Sequence, residues 1–315
     1  MSASRRVGFI GLGNMGAPMV SNLTRGGHDV MGYDVAAGRA QQVAQAHGAR
    51  ATESLAELAR HAEIVITMLP SCREVREALI DAQGGALTAN LRPGTIVIDM
   101  SSADPVGTRA LGGELARRNI ALVDAPVSGG VPGAKDGTLA IMIGGDPTAV
   151  AAVKPVLAAL GKKLFEVGGP GCGHAMKALN NFLAATSSAA GAEAIAIGRQ
   201  FGLDPAIMAD VINASTGRSF VSENLIKQHV LSGAYATGFA LGLLAKDVKI
   251  AADLAEQIGV DAPVLDLVDG LWSEARDALG GAQDHSRAWE HWQRRAIAFS
   301  GEVASGSPQK TRQSQ

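Results

Sequence analysis

The sequence predicts an α/β protein in which an N-terminal doubly wound parallel sheet is followed by an all-α C-terminal domain, with a long interdomain helix at the start of the second part. Up to about residue 168, short apolar runs alternate with helical stretches, and no convincing strand follows Gly173. Continuous apolar runs are typical of strands that helices cover on both faces. Their alternation with helices predicts a parallel sheet.

Seven apolar or β-branched runs are the predicted strands: Val7–Ile10, Asp29–Tyr33, Ile64–Leu69, Thr95–Met100, Ala121–Asp124, Ala140–Ile143 and Lys163–Val167. The clearest helices between them are Met15–Thr24, Gly38–His47 and Val106–Arg118. Together these elements predict a first domain over residues 1–168.

The second predicted domain covers residues 169–299 and opens with a helix over about His174–Phe201, rich in Ala, Ser and Gly. Small side chains let another helix approach closely, which predicts burial of this helix on several sides. Asp204 and Pro205 form a cap followed by proline, the usual start of a helix. The remaining predicted helices are Pro205–Ala214, Ser222–Ser232, Phe239–Ile258, Pro263–Leu279 and Ser286–Ala298. Residues 300–315 are polar and are expected to form a loose tail.

Composition excludes several classes of protein. The 315 residues carry a formal net charge of -2, which gives no electrostatic basis for binding nucleic acid or an anionic membrane. Cys72 and Cys172 cannot form a four-cysteine metal site and are expected to be reduced thiols, and no metal-ligand set is apparent. Without a recognisable signal peptide or membrane span, the chain is expected to be soluble and cytoplasmic.

A glycine-rich turn follows the first predicted strand and precedes a helix. Its residues are Gly11, Leu12, Gly13, Asn14, Met15 and Gly16. In a G-x-G-x-x-G motif the first glycine permits the tight turn, the second lets the backbone approach a pyrophosphate, and the third allows close helix packing. With the strand before it and the helix after it, the motif predicts a Rossmann-type dinucleotide site.

Asp34 ends the second predicted strand, where a carboxylate accepts hydrogen bonds from the ribose hydroxyls of NAD and repels the 2′-phosphate of NADP. The alternative is that Asp34 only caps the next helix. The carboxylate of Asp34 therefore predicts NAD as the cofactor. NADP remains the alternative, because Arg39 lies downstream and could weaken that preference. Leu69, Pro70 and Ser102 follow the third and fourth strands, at the sheet edge that faces the ligand in such folds.

Two further segments carry candidate chemistry. Ser128, Gly129 and Gly130 follow the fifth strand, and this loop either cradles a carboxylate or is an ordinary turn. Lys177 and Asn181 are four residues apart and so share a helix face near the domain junction, where ligand clefts tend to form. By itself this pair is more typical of a solvent-exposed lysine and a helix-face amide.

Four separated segments together resemble the β-hydroxyacid dehydrogenase family of the 3-hydroxyisobutyrate dehydrogenase type. They are GFIGLGNMGAPM near the amino terminus, DAPVSGGVPGA at 124–134, GCGHAMKALNN at 171–181 and AKDVKIAAD at 245–253. The resemblance covers residues 6–295 approximately. In the last segment, Val248 and Lys249 replace the leucine and glycine usual in the family.

The resemblance implies that Lys177 is the catalytic acid or base and that Asn181 assists it. It assigns the carboxylate of a small substrate to the Ser128–Gly130 loop, and it places Lys246 beside the nicotinamide and substrate with Asp247 as its ion-pair partner. The implied reaction moves a hydride between NAD(H) and a small 3-hydroxy acid, while Lys177 takes or returns the hydroxyl proton. A homodimer or homotetramer is also implied.

Several alternatives stay open. 6-Phosphogluconate dehydrogenase is similar around two of the segments, but Asn180 stands where that family usually has a histidine. Within the resembled family the substrate could be 3-hydroxyisobutyrate or a tartronate, succinic or sulfolactaldehyde-type semialdehyde, and Arg218 is a candidate to contact its far end. A different class of function is a non-catalytic NAD-binding sensor or scaffold.

Overall fold

The structure is a computed structural model that describes residues 4–81 and 87–294. These residues form two compact units, one from residues up to Leu179 and one from Asn180 onward, except that Glu256–Ile258 group with the first. The predicted tail at 300–315 lies outside the described residues. Within the described ranges, no helix is both long and apolar enough to cross a membrane.

The first unit is built on one sheet. Its strands are β1 Arg6–Ile10, β2 Asp29–Tyr33, β3 Arg50–Ala51, β4 Ile64–Thr67, β5 Ile96–Asp99, β6 Ala121–Asp124, β7 Val127–Ser128, β8 Leu139–Gly144 and β9 Gly161–Gly168. The strand order is β3-β2-β1-β4-β5-β6-β8-β7, and β9 pairs with β8. The first six strands in this order are all parallel. This confirms the predicted doubly wound sheet.

Helices connect most of these strands. They are α1 Gly16–Arg25, α2 Arg39–His47, α3 Leu55–His61, α4 Cys72–Arg76, α5 Leu87–Asn90, α6 Pro105–Ala116, α7 Gly130–Asp136 and α8 Pro147–Leu157, with a π-helical turn at Glu77–Asp81. Asp104 and Asp146 cap α6 and α8, and each is followed by proline at the start of the helix. This is the local sequence pattern that best fixes a helix start.

Alternate residues of the central strands enter two separate hydrophobic cores. Ile64 and Ile66 of β4 belong to one core, while Val65 between them belongs to the other. In the same way, Phe9 and Ile10 of β1 lie in different cores. Because successive side chains of a strand point to opposite faces, both faces of the sheet are covered, which explains the continuous apolar runs.

The second unit is helical. The long helix α9 spans Cys172–Phe201, and its residues from Asn180 onward belong to this unit. It is followed by α10 Pro205–Asn213, α11 Phe220–Asn224, α12 Leu241–Gln257 and α13 Pro263–Leu279. A π-helical turn lies at Ile226–Leu231, a 3₁₀ turn at His285–Arg287, and a last helix begins at 288 and is described through 294. As predicted, Asp204 caps α10 by accepting from the N–H groups of Ala206 and Ile207 at 2.7 and 3.0 Å.

Tryptophans pack on the small residues of α9 in this unit. The indole of Trp272 donates to the Ala185 carbonyl at 3.2 Å, and that of Trp289 donates to Oγ of Ser188 at 2.8 Å. A Cβ placed at Gly191 would lie 3.1 Å from the Trp289 ring. The composition of α9 therefore allows large side chains to approach its backbone, in agreement with the predicted close packing.

Three features differ from the predictions. The sheet ends in an antiparallel part, because β8 runs antiparallel to β6 and β7. The helix predicted at Ser222–Ser232 is α11 followed by the separate π-helical turn. The two-residue strands β3 and β7 were not predicted, since so short a strand leaves no periodic pattern. Beyond Gly168, strand pairing among the described residues is limited to an isolated bridge between Ala240 and Asp284.

Candidate active site

The glycine-rich turn lies between β1 and α1 and depends on two glycines for its shape. Gly11 has a φ of +94°, and a Cβ there would lie 2.3 Å from the Met68 carbonyl oxygen. A Cβ at Gly16 would lie 1.9 Å from the carbonyl oxygen of Gly11, so the third glycine closes the turn on itself. By contrast, a Cβ at Gly13 would meet nothing within 4 Å. Another group can therefore approach the backbone at Gly13.

The start of α1 offers backbone donors beside this turn. Met15 occupies the N-cap position and makes no side-chain cap hydrogen bond. Leu12 is fully buried, whereas Gly13 and Asn14 are exposed and Met15 is half-buried. The first N–H groups of a helix have no intrahelical acceptor and attract anions, so the exposed part of the turn suits a phosphate.

Asp34 and Arg39 both hold the peptide groups of Leu12. The Leu12 N–H donates to Oδ2 of Asp34 at 2.7 Å, and the Ala36 N–H donates to Oδ1 at 2.8 Å. Nε of Arg39 donates to the Leu12 carbonyl at 2.7 Å. Asp34, which directly follows β2, thus stabilises the turn. The guanidinium group of Arg39 is bonded to the carbonyl of the same residue, Leu12.

Strand β4 lies beside β1 in the sheet and β5 beside β4, and both end at the same edge. Leu69 is half-buried after β4, and its N–H donates to Oγ of Ser101 at 2.9 Å, while Pro70 is exposed. Ser102 is half-buried after β5. The buried serine in this region is therefore Ser101, which is 1% exposed. The sequence analysis named its neighbour Ser102 instead.

The Ser128 loop joins β7 to α7. Ser128 is half-buried and the two glycines after it are exposed. Both glycines have positive φ, +126° for Gly129 and +58° for Gly130, and α7 begins without a side-chain cap. Neighbouring N–H groups in such a turn form a concave donor set for an anion.

Lys177 and Asn181 both lie on α9. Their four-residue spacing corresponds to about 6 Å along a helix axis and about one turn. Lys177 is half-buried, and Asn181 is 7% exposed.

Asn181 is held by residues of α12. Its Nδ2 donates to Oδ2 of Asp247 at 2.6 Å. Oδ1 of the same carboxylate lies 3.5 Å from Nζ of Lys246, which forms an ion pair with it. Asp247 is 3% exposed and Lys246 is half-buried. One buried carboxylate therefore orients both an amide and an ammonium group.

The two residues that depart from the resembled family, Val248 and Lys249, directly follow Asp247 on α12. Val248 is fully buried in the packing of α12. Lys249 is exposed and forms an ion pair with Asp253 one turn further on.

A buried polar network at the carboxyl ends of the strands was missed by the sequence reasoning. Asp124 ends β6, is 0% exposed, and accepts from the N–H groups of Gly171 and His174. Burial raises the pKa of the Asp124 carboxyl, and the nearby His174 and the two N–H donors oppose that rise. Asp99 ends β5 and is 2% exposed. The sequence signal that could have identified Asp99 and Asp124 is an aspartate at the end of a buried apolar strand.

No group of three or more His, Cys, Asp or Glu side chains suited to a metal ion occurs in the described part of the chain.

Family profiles match both parts of the chain. Residues 6–169 match the NAD binding domain of 6-phosphogluconate dehydrogenase. Residues 171–292 match the profile described as NAD-binding of NADP-dependent 3-hydroxyisobutyrate dehydrogenase.

Characterised relatives and a solved structure agree with these profiles. The chain is 36% identical over 293 residues to 2-(hydroxymethyl)glutarate dehydrogenase of Eubacterium barkeri, covering 93% of this chain and 96% of that one. It is 35% identical over 294 residues to the mitochondrial 3-hydroxyisobutyrate dehydrogenase of Drosophila melanogaster, covering 91% and 89%. A structure of Mycobacterium tuberculosis 3-hydroxyisobutyrate dehydrogenase with L-serine superposes with a TM-score of 0.85 at 32% identity, covering 92% and 99% of the two chains.

Proposed function

This chain belongs to the β-hydroxyacid dehydrogenase family, of the 3-hydroxyisobutyrate dehydrogenase type, and from this we propose that it moves a hydride between NAD(H) and a small 3-hydroxy acid. It is an NAD-dependent oxidoreductase that acts on the CH–OH group of hydroxy acids. The observation that carries the finer assignment is α9, on which Lys177 and the buried Asn181 stand one turn apart, with Asn181 bonded to Asp247.

The residues of the first unit fit NAD. Space beside Gly13 and the uncapped start of α1 suit the pyrophosphate, and Asp34 stands where the adenosine ribose hydroxyls would be bound. Residues after β4 and β5, namely Leu69, Pro70 and Ser102, would line the nicotinamide side of the same edge. When bound, NAD supplies the hydride acceptor at C4 of its nicotinamide.

The names of the relatives narrow the substrate class. 3-Hydroxyisobutyrate, 2-(hydroxymethyl)glutarate and L-serine all have a hydroxymethyl group on the carbon that bears the carboxylate. They differ only in the second substituent of that carbon, which is methyl, carboxyethyl or ammonium. We therefore propose a 2-substituted 3-hydroxypropionate as the substrate, oxidised to the corresponding semialdehyde.

In the proposed mechanism the protein orients the acid and moves one proton. In the first unit, Ser128 and the N–H groups of Gly129 and Gly130 would bind the carboxylate. In the second unit, Lys246, held by Asp247, would contribute a positive charge. As the carbinol carbon loses its hydride, neutral Nζ of Lys177 takes the hydroxyl proton and the C–O bond becomes a carbonyl. Asn181 donates a hydrogen bond that orients the reacting oxygen. Reduction of the semialdehyde runs the same steps in reverse.

We also propose that the protein acts in the cytoplasm as a homodimer or homotetramer. Cys72 and Cys172 are both free thiols, which suits a reducing compartment. Large apolar side chains of the second unit are exposed, among them Ile197 at 70% and Phe201 at 85%, and contiguous exposed apolar surface is typical of an interface.

The proposed role of Lys177 is tested with Lys177→Ala and the matched control Lys154→Ala. Lys154 is an exposed α8 residue paired with Glu166, and exposed ion pairs contribute little to stability. Reduced-nicotinamide absorbance is followed with a panel of 2-substituted 3-hydroxypropionates, and NADH binding is followed by fluorescence. We expect Lys177→Ala to bind NADH but turn over roughly 10²- to 10⁴-fold more slowly, the scale expected for loss of general acid–base catalysis. Normal turnover by Lys177→Ala refutes the role, and NAD binding without turnover by the wild type favours the sensor alternative.

A further inference from the structure

Three buried polar side chains that the proposed mechanism does not use meet at the amino end of α9. Asp124 is 0% exposed, His174 is 1% exposed and Asp99 is 2% exposed. Ionisable side chains are rarely this deeply buried unless other groups bind them. Their partners therefore indicate what the cluster holds in place.

Asp124 ties the start of α9 to the end of β6. Its Oδ1 accepts from the Gly171 N–H at 2.8 Å, and its Oδ2 accepts from the His174 N–H at 2.9 Å. A helix start is usually capped by the residue just before it. Asp124 instead precedes Gly171 by 47 residues and His174 by 50 residues. Its carboxylate therefore bonds the start of the helix to the end of a strand.

Two glycines make this joint tight. A Cβ at Gly173 would lie 2.5 Å from the Met142 carbonyl oxygen and 2.8 Å from Oδ2 of Asp124. A Cβ at Gly144 would lie 2.7 Å from Oδ1 of Asp124. The backbones of β8 and α9 therefore pack directly against the carboxylate.

His174 adds a second attachment. Its Nδ1 lies 2.8 Å from Oγ1 of Thr108 on α6. The Thr108 hydroxyl donates to the Asp104 carbonyl at 2.8 Å. Nε2 lies 3.8 Å from Oδ2 of Asp99 at the end of β5.

Asp99 is itself fixed by the neighbouring strand end. Its Oδ1 accepts from Oγ1 of Thr67 at 2.9 Å and from the Ser101 N–H at 3.0 Å. The first turn of α9 is thus attached to the carboxyl end of β6 and to α6, and it faces the carboxyl end of β5.

We propose, on the basis of the function given above, that Asp124 is a positioning residue for Lys177: it holds the first turn of α9 on the sheet so that Nζ stands where the reacting oxygen is bound. Lys177 follows His174 by three residues, about 4.5 Å along the helix axis and just under one turn. A displacement of the first turn therefore moves Lys177 with it. A misplacement of 1 Å in a reacting group costs about 10²-fold in rate.

The test uses Asp124→Asn, which keeps the shape of the side chain but leaves a single acceptor oxygen for two N–H donors. We expect kcat to fall roughly 10- to 100-fold, with the NADH dissociation constant and the substrate KM within about twofold of wild type. The primary deuterium isotope effect on kcat should rise, because a slowed chemical step becomes slower than product release. Loss of folded protein alone would lower the active fraction without changing that isotope effect.

A matched control makes the same change at another helix start. Asp146 caps α8 by accepting from the N–H groups of Thr148 and Ala149 at 2.9 and 3.2 Å. Oδ1 of Asp146 accepts both of these bonds, and the single side-chain oxygen of asparagine can replace it, so Asp146→Asn should leave kcat and the isotope effect unchanged. Thr108→Val serves as a second variant that removes the hydroxyl bound to His174 but leaves Asp124 intact, and it should lower kcat several-fold.

The outcomes separate this inference from the proposed function. If Asp124→Asn folds and has the kcat and isotope effect of the wild type, the positioning role is wrong. If Asp124→Asn does not fold, wild-type kcat in Thr108→Val overturns it. Normal turnover in Lys177→Ala would instead remove the proposed function, whereas an inactive Lys177→Ala with unaffected network variants would remove only this inference.

Discussion

At the residue scale, Asp34 connects the shape of the cofactor turn to the choice of cofactor. Both of its oxygens already accept backbone N–H groups, one from Leu12 and one from Ala36. A carboxylate oxygen accepts more than one hydrogen bond, so the side chain remains available to ribose hydroxyls. Arg39 bonds the same Leu12 peptide through its carbonyl and is the cation nearest in sequence to accept a 2′-phosphate.

Replacing Asp34 should shift the preference from NAD toward NADP. In Asp34→Asn the charge is removed and an acceptor oxygen is kept, so we expect the ratio of kcat/KM for NAD to that for NADP to fall about tenfold, equivalent to about 1.4 kcal/mol. Steady-state rates with each cofactor measure the ratio. Asp29→Asn, at the other end of β2 and paired with Arg50, is the matched control. An unchanged ratio in Asp34→Asn would mean that Asp34 only braces the turn.

Single residues were predictable from sequence where their partners are close in the chain. The glycine turn and Asp34 follow one another within a single strand–helix–strand unit, so roles for them could be predicted from spacing. The contacts of Asp124 with Gly171 and His174 could not, because they join residues about fifty positions apart and depend on the antiparallel placement of β8. An apolar strand has the same composition whichever way it runs.

At the scale of elements, the small residues of α9 determine which side chains can pack on it. Trp289 lies against Gly191 and is bonded to Ser188, and Trp272 is bonded to Ala185. The Ala- and Ser-rich composition predicted this close approach, but it did not identify the tryptophans that make it. Their positions depend on the fold of a segment about a hundred residues away.

A larger side chain at Gly191 should overpack this contact. Gly191→Leu is expected to lower the free energy of unfolding by about 1–3 kcal/mol, measured by urea denaturation. The matched control is Gly270→Leu in α13, where an added Cβ meets nothing within 4 Å. Equal stability of the two variants would show that Trp289 does not pack on α9.

Asp284 makes the second unit sensitive to acid. Burial raises the pKa of its carboxyl, but hydrogen bonds from Ser286, Thr237 and the Gly238 N–H outweigh burial and hold the pKa below its usual value. Because the folded-state pKa is depressed, the stabilisation is present above the unfolded value of about 3.9 and is lost as pH falls through the folded value.

The free energy of unfolding should therefore decline more steeply below about pH 4 in the wild type than in Asp284→Asn. Chemical denaturation at a series of pH values measures both slopes. Asp261→Asn is a suitable control, because Asp261 is an exposed aspartate of the same unit. Identical slopes for wild type and Asp284→Asn would contradict the assigned role.

At the scale of the whole molecule, two helices of the second unit present apolar stripes. Ile197 and Phe201 stand one turn apart on α9, and Ile207 and Val211 stand one turn apart on α10, all more than half exposed. Apolar residues at such spacing, without polar interruption, are typical of a surface that another protein covers. A second copy of this chain is the occupant that we propose.

Charge placed on these stripes should prevent self-association. The double variant Phe201→Glu and Ile207→Glu should lower the mass measured by light scattering toward the 32.2 kDa of one chain. Phe165→Glu, on the exposed strand β9 of the first unit, should leave the mass of the oligomer unchanged. A wild-type protein that already runs as a single chain would refute the proposed interface.

The α/β class, the doubly wound parallel sheet and the family were all predictable from the sequence, because they rest on periodicity and on motifs whose residues are contiguous. The antiparallel end of the sheet and the buried network at the start of α9 were not, because both depend on contacts across the chain. The proposed function joins the two kinds of information, since the role proposed for Lys177 comes from the motif and the residues proposed to position it come from the structure.

Direct transfer of hydride from the substrate carbon is the central claim. A 2-substituted 3-hydroxypropionate deuterated at its hydroxymethyl carbon is incubated with NAD and the wild-type protein, and the reduced cofactor is analysed by mass spectrometry. We predict one deuterium per molecule of NADH formed, and NADH formation slowed roughly 10²- to 10⁴-fold with Lys177→Ala. Unlabelled NADH, or no reduction with any member of the panel although NAD binds, would contradict it.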